Sequence, residues 1–411
     1  MEKLFERCCG LDVHKASVTA CVRVPDRRGR RAELVAEFGT MTADLLALRD
    51  WLQGLGVTHV AMEATGVYWK PVWYLLEDEF ELLLCNAAHV KHVPGRKTDV
   101  SDAQWLSQLL ECGLLRGSFV PPRPIRELRD LTRYRKSLIR ERQRQANRLH
   151  KLLEDANIKL ACVASDVLGV SGRAMLAALV AGEGDPTVLA ELAKGRLRAK
   201  LPALRQALEG RFSAHHALLA THVLSHLDYL DETIAALGAE IETRLAPFAD
   251  KAELLQTIPG VGQRAAEVIL AELGPDMSRF PSDRHAASWA ALCPGNDESA
   301  GKRRSGRTRK GDTWLKETLL ESALAASRTR DTYLKAQYLR LRRRRGEKKA
   351  LVAVAHSILI IAYHVLHESR PYEELGSDWF LRRESPTHLT RRLTRQLERL
   401  GHRVTLEPIA A

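Results

Sequence analysis

Arg96-Lys97-Thr98-Asp99-Val100-Ser101-Asp102 is the stretch on which the reading of this chain turns. Its two aspartates are three residues apart, a spacing that sets side chains one above the other on a helix face. Like charges held that close repel, so a solvated helix gains nothing from pairing them. A divalent cation between them reverses the balance, because Mg²⁺ takes hard oxygen ligands. A plain helix start is the competing reading, with Thr98 or Asp99 as N-cap and Asp102 favoured by the helix dipole. Acids elsewhere that converge on this pair decide between the two.

Two such acids lie upstream. Period-two apolar alternation and turn residues predict strands over residues 8–13, 17–24, 32–38, 57–63 and 80–86. Helices are predicted over residues 42–55 and 68–76, and over 99–110 for the aspartate pair. Three strands in a meander, then helix, strand, helix, strand, helix, is the order of a ribonuclease H-like (RuvC-like) mixed sheet. On that order Asp12 sits on the first strand and Glu63 at the end of the fourth, side by side at the sheet centre. The helix of Asp99 and Asp102 then crosses their ends. Two carboxylates about 4 Å apart cost on the order of 4 kcal/mol at an effective dielectric of 20. A cluster of four therefore calls for cations, and two metal ions would clamp both sides of a phosphodiester.

Composition narrows the class of protein. With 411 residues and 45% hydrophobic content the chain is globular and long enough for about two or three cores. The seven cysteines form no CxxC and no zinc spacing, which predicts reduced thiols in a cytosolic protein. Residues 1–7 are charged throughout and do not read as a signal peptide. The most apolar run, 351–366, is broken by His356, Ser357 and His364 and falls short of a membrane span; it predicts a buried helix. Net charge is +12, and residues 302–349 alone carry 17 Lys/Arg against 5 Asp/Glu. Charge gathered this way is the footprint of a polyanion partner, nucleic acid above all. The run Arg342-Arg343-Arg344-Arg345 reads as a phosphate-binding edge.

The proline cluster Pro121, Pro122, Pro124 ends the first domain. A long helix from Ile125 towards Ile158 follows, its leucine seam interrupted by Arg135, Arg142 and Gln145. Residues 123–151 hold 11 Lys/Arg against 3 Asp/Glu. Two readings stay open there: a solvated helical hairpin, or a basic arm that grips nucleic-acid backbone or a second protomer. Leu218, Val223, Leu227, Leu230, Ile234, Leu237 and Ile241 then make a stripe that must fold on the first helix or across a dimer. Pro259-Gly260-Val261-Gly262 before a helix resembles a helix-hairpin-helix turn, whose amides at a helix start hold a backbone phosphate.

Residues 293–311 form a glycine-punctuated, very basic loop. A serine hydroxyl here suits attack on phosphorus, with Arg303, Arg304 and Arg307 as bidentate clamps. Ser299 and Ser305 are not told apart by composition, and a loop that merely binds backbone is the alternative.

The motifs Gly-Leu-Asp12-Val-His-Lys, Met-Glu63-Ala-Thr-Gly and Lys-Thr-Asp99-Val-Ser-Asp102-Ala resemble the DEDD, RuvC-like domain of insertion-sequence 110-type transposases. The Pro-Gly-Val-Gly turn and Cys-Pro-Gly-Asn-Asp-Glu-Ser299-Ala-Gly-Lys-Arg-Arg-Ser-Gly-Arg resemble that family's C-terminal transposase domain. The resemblance implies a recombinase that moves its own element, guided by a structured non-coding bridge RNA. It implies that Asp12, Glu63, Asp99 and Asp102 bind Mg²⁺, two ions per site, and that Ser299 becomes covalently linked to DNA. Ala300 stands where many relatives carry Gly. Double-stranded DNA, guide RNA and further copies of the chain are the implied partners, with Lys97, Arg135, Arg142, Gly260, Gly262, Lys302, Arg303, Arg304, Arg307, Arg309 and Lys310 as nucleic-acid contacts. No membrane is implied, and a prokaryotic cytoplasm is the expected place of action.

The expected architecture is α/β plus α. It comprises a RuvC-like domain over 1–120, a helical coiled coil over 121–250, an all-α transposase domain over 251–370 and a peripheral tail over 371–411. A structure-specific nuclease using water and a non-catalytic RNA-binding protein are the competing functions. The first needs no serine, and the second needs no acids.

Overall fold

The computed structural model describes residues 4–91, 101–295, 297–305, 308, 311–383 and 385–407. Contacts divide the chain into two compact units, Met1–Pro121 and Pro122–Ala411.

The first unit runs β1 (Cys8–Val13), β2 (Ser17–Pro25), β3 (Arg31–Gly39), α1 (Thr42–Gly54), β4 (His59–Glu63), α2 (Trp69–Leu76), β5 (Glu81–Cys85), α3 (Ala87–Lys91) and α4 (Asp102–Glu111). The five strands form one mixed sheet in the order β3-β2-β1-β4-β5. The three-strand meander is antiparallel, while β1, β4 and β5 run parallel. A turn with Gly29 at φ 72° joins β2 to β3, and the Asp26 carboxylate accepts from the Arg28 and Arg30 amides across it.

Strand alternation divides the core between the two faces of the sheet. Cys9, Leu11 and Val13 pack with Leu45, Leu48 and Leu52 of α1 and Val72 and Leu76 of α2. Cys8, Ala61 and Cys85 pack on the opposite face with Trp105, Leu106, Leu109 and Leu110 of α4. Gly10 lies between, and a Cβ there would come 2.3 Å from the Ala103 carbonyl and 2.5 Å from the Ser107 amide. Only glycine lets α4 lie directly on β1.

The second unit runs α5 (Arg123–Asp155), α6 (Leu160–Val163), α7 (Val170–Val180), α8 (Pro186–Glu191), α9 (Leu201–Leu208), α10 (Ala214–Leu245), α11 (Ala249–Gln256), α12 (Gln263–Leu273) and α13 (Asp283–Trp289). A hairpin of β6 (Asp297–Ser299) and β7 (Lys302–Ser305) follows, then α14 (Thr313–Ala326), α15 (Tyr333–Arg345), α16 (Glu347–Glu368), α17 (Trp379–Arg382) and α18 (Pro386–Arg399). The long helices α5 and α10 pack on one another, with Leu138 against Leu230 and Ile234. Thus the α10 stripe folds on α5, although Leu218 at its start is 60% exposed. One core gathers around α6 to α9 and a larger one around α11 to α16.

Among the described residues α16 is the one helix long and apolar enough to cross a membrane. Its Ala350, Val354, Ile358 and Ala362 are fully buried in the larger core, as its sequence predicts. The tail is fastened at its start: Trp379 and Phe380 lie 5.2 and 5.3 Å from the Tyr333 ring, and the Arg340 guanidinium sits 4.7 Å over Phe380.

Candidate active site

Register places the first two acids. Gly10 of β1 pairs with Ala61 of β4, and Leu11 with Met62, so Asp12 and Glu63 are the next residues on adjacent parallel strands. Neighbouring strands lie about 4.8 Å apart. Both acids follow by two residues a position packed on α4, Gly10 in one strand and Ala61 in the other. Alternation therefore turns both towards the α4 face.

The direction of α4 brings in the third acid. Its Ala103 carbonyl lies over Gly10, its Ser107 carbonyl accepts from the Cys8 thiol, and its Glu111 carbonyl accepts from the Leu4 and Phe5 amides. The helix therefore runs antiparallel to β1 and begins at the end of the strand that carries Asp12. Asp102 is its first residue and is exposed. The positive end of the helix dipole lies there and favours carboxylates.

The start of α4 corrects one expectation. Ser101 is the N-cap, extended at ψ 155°, and it closes a capping box with Gln104. The described helix therefore begins at Asp102 and not at residue 99; Asp99, like Lys97, lies outside the described residues.

Asp12 is 27% exposed, and its Oδ2 lies 3.2 Å from Nε2 of His14. The motif Asp-Val-His carried that neighbour in plain view, yet the sequence reading gave His14 no role. Among the described residues no three acidic, His or Cys side chains form a ready metal-binding group. The donor set nonetheless fits Mg²⁺, which takes oxygen ligands, keeps several waters and needs only one or two carboxylates to hold it. Asp12, Glu63 and Asp102 offer carboxylate oxygen at one end of the sheet, none of them buried.

The serine loop is a two-stranded antiparallel hairpin in which Ser299 pairs with Lys302 and Asp297 with Ser305. Ser299 thus borders the tip and Ser305 the open end. Ala300 and Gly301 form the turn with φ 50° and 72°, both in the left-handed region. Such a two-residue turn matches the twist of a hairpin and favours glycine at both positions. Ala300 accepts a backbone cost of roughly 1 kcal/mol that glycine would avoid. At the foot of the loop Pro294 bridges Thr308, whose Oγ1 accepts from the Lys316 ammonium at 2.8 Å. Lys302 is exposed; of Ser299, Arg303 and Arg304 the backbone alone is described, and Arg307, Arg309 and Lys310 lie outside the described residues.

Two expected nucleic-acid contacts find different surroundings. Arg135 is 4% exposed and its guanidinium is bonded to the buried Glu267 carboxylate, so it is withdrawn from any phosphate. Arg142 donates to both Asp231 oxygens and is one-third exposed. At the glycine turn, Gly260 has φ 87° and a Cβ there would lie 2.3 Å from the Ser322 carbonyl. Packing on α14 alone therefore requires glycine at 260. Gly262 caps α12 and faces open space.

These features (a mixed sheet bearing acids at paired strand ends, then a helical unit with a basic hairpin) coincide with two family matches. The DEDD transposase model of the IS110 type matches residues 9–158, and that of the Transposase IS116/IS110/IS902 family matches residues 252–339. The chain belongs to the IS110-type transposases, a family of DNA-recombining enzymes. A Sinorhizobium fredii protein named as a transposase, y4pF/y4sB, is 28% identical over 77% of this chain and 75% of its own length. The pilin gene-inverting proteins of Moraxella bovis and Moraxella lacunata are each 29% identical over 30% of this chain, which spans only 39% of their length.

Proposed function

We propose that this chain is the recombinase of an insertion sequence, cleaving and rejoining DNA strands under the guidance of a structured non-coding RNA. The first unit acts as a ribonuclease H-like (RuvC-like) domain, and the α11–α12 turn as a helix-hairpin-helix. The observation that carries the reading is the register of Asp12 beside Glu63, with Asp102 opening the helix that crosses them.

Asp12, Glu63, Asp99 and Asp102 hold divalent metal, Mg²⁺ in the cell. Bound metal supplies positive charge to a scissile phosphate and to the oxygen leaving it. The Ser299 Oγ attacks phosphorus, forming a serine–phosphate bond as the bond from phosphorus to one deoxyribose oxygen breaks. The serine proton leaves and the departing oxygen gains one. Attack by a hydroxyl of the recombining strand reverses the exchange and frees Ser299, so one phosphodiester replaces another with no external energy source. Lys302, Arg303, Arg304, Arg307, Arg309 and Lys310 hold backbone phosphates around the hairpin, joined by Lys97 and by Gly262 at the start of α12. The exposed run Arg343-Arg344-Arg345 extends that contact.

A covalent-trapping assay on DNA carrying the element ends tests this. Ser299→Ala abolishes the protein–DNA adduct, and Asp12→Asn abolishes both adduct and Mg²⁺-dependent cleavage while nucleic-acid binding survives. Undiminished cleavage by Ser299→Ala would transfer the nucleophile to water.

A further inference from the structure

The face of α4 that meets β2 and β3 is polar. Gln104, Ser107 and Glu111, at spacings of three and four, make one stripe along it. Glu111 is 4% exposed, and its carboxylate accepts from Nε of Arg23 on β2 at 2.7 Å. Nε of Arg31 on β3 lies 2.9 Å from its other oxygen. Ser107, fully buried, donates to the Cys21 thiol of β2 at 3.2 Å. Gln104 accepts from the Ser101 amide through Oε1 and donates through Nε2 to Glu33 of β3 at 2.6 Å. Glu33 also takes the Arg23 guanidinium, which joins the two ends of the stripe.

An apolar helix face slides or rotates on a sheet at little cost, because dispersion has no direction. The buried charged hydrogen bond of Glu111 tolerates no such slip, since breaking it leaves a desolvated group, while the exposed Gln104–Glu33 bond adds a directional tie at the other end of the stripe. Gln104 is two residues from Asp102 and holds both the N-cap and the sheet.

We infer that the Gln104–Ser107–Glu111 stripe, anchored on Glu33, Arg23 and Arg31, fixes the register of α4 and so positions Asp102 against Asp12 and Glu63 for metal binding. These are positioning residues, and the inference rests on the metal reading above.

The test is Mn²⁺ binding to the full-length chain, followed by the paramagnetic resonance of the free ion, with thermal unfolding measured alongside. Glu33→Ala leaves the capping box intact and removes the sheet anchor. It is expected to raise the Mn²⁺ half-saturation about tenfold, the lower end of what outer partners of metal ligands contribute. Gln104→Leu is expected to do the same, and Glu79→Ala, a charge loss elsewhere in the unit, to do nothing. If the native chain binds no Mn²⁺, or Asp12→Asn binds it equally well, the metal reading fails. If Asp12→Asn loses binding while folded Glu33→Ala and Gln104→Leu keep the native midpoint, the stripe is packing alone and the inference is overturned.

Discussion

Helix α5 and the corner where α15 meets α16 are both densely basic, and they spend that charge in opposite ways. On α5, Arg129 and Arg133 converge on Glu272, which has no exposed side-chain surface. Burial pushes that carboxyl up to about 7 against the pull of the two guanidiniums. Arg135 takes Glu267, Lys136 and Arg140 take Glu317, and Arg142 takes Asp231. At the corner, Arg343, Arg344, Arg345, Lys348 and Lys349 are exposed, and among the described residues no carboxylate stands against them. These six cations of α5 hold helices together, whereas those of the corner face water. Net charge along a helix measures supply, and burial decides where it goes.

The sharpest way to break this contrast is Arg135→Ala. It strands the Glu267 carboxylate in a buried site and is expected to cost about 3–5 kcal/mol in denaturant unfolding. Arg135→Met with Glu267→Leu removes both charges and is expected to recover most of that loss. A single variant that unfolds like the native chain but binds DNA more weakly would return Arg135 to the nucleic-acid surface.

The triple change Arg343→Ala, Arg344→Ala, Arg345→Ala is the converse. Each exposed side chain contributes within about 0.5 kcal/mol to stability, so the unfolding midpoint should scarcely move. The dependence of log affinity on log salt for duplex DNA should flatten by about 3, one counterion per lost phosphate contact. An unchanged slope would leave the corner without a polyanion.

The same contrast separates what was legible in the sequence from what was not. Strand order and the strand-end positions of Asp12 and Glu63 were legible because alternation is local and each strand announces its own buried face. The start of α4 was legible in principle. Ser101 and Gln104 spell a capping box, but the Asp99–Asp102 spacing drew the helix start three residues early. The fate of Arg135 was not legible, because its partner Glu267 lies 132 residues away. The packing role of Gly260 was hidden for the same reason: the atoms that forbid a side chain there, Ser322 O and Ala326 N, belong to another helix. Local pattern names an element; only the fold names its partners.

Arg142 lies between the two extremes and gives the finest test. Its side chain is 33% exposed, and its fork meets the carboxylate of Asp231 on α10, itself 43% exposed. A pair so open to solvent is screened and contributes at most about 1 kcal/mol. Arg142→Ala is therefore expected to lower stability by about 0.5–1 kcal/mol and to leave the salt slope for DNA binding unchanged, because the guanidinium already has its anion. Asp231→Asn sharpens the point by releasing Arg142 without removing it. If α5 faces backbone in the complex, the freed cation gains a phosphate and the slope steepens by about 1. If α5 serves the helix bundle alone, the slope stays where it was and only the small loss of stability remains.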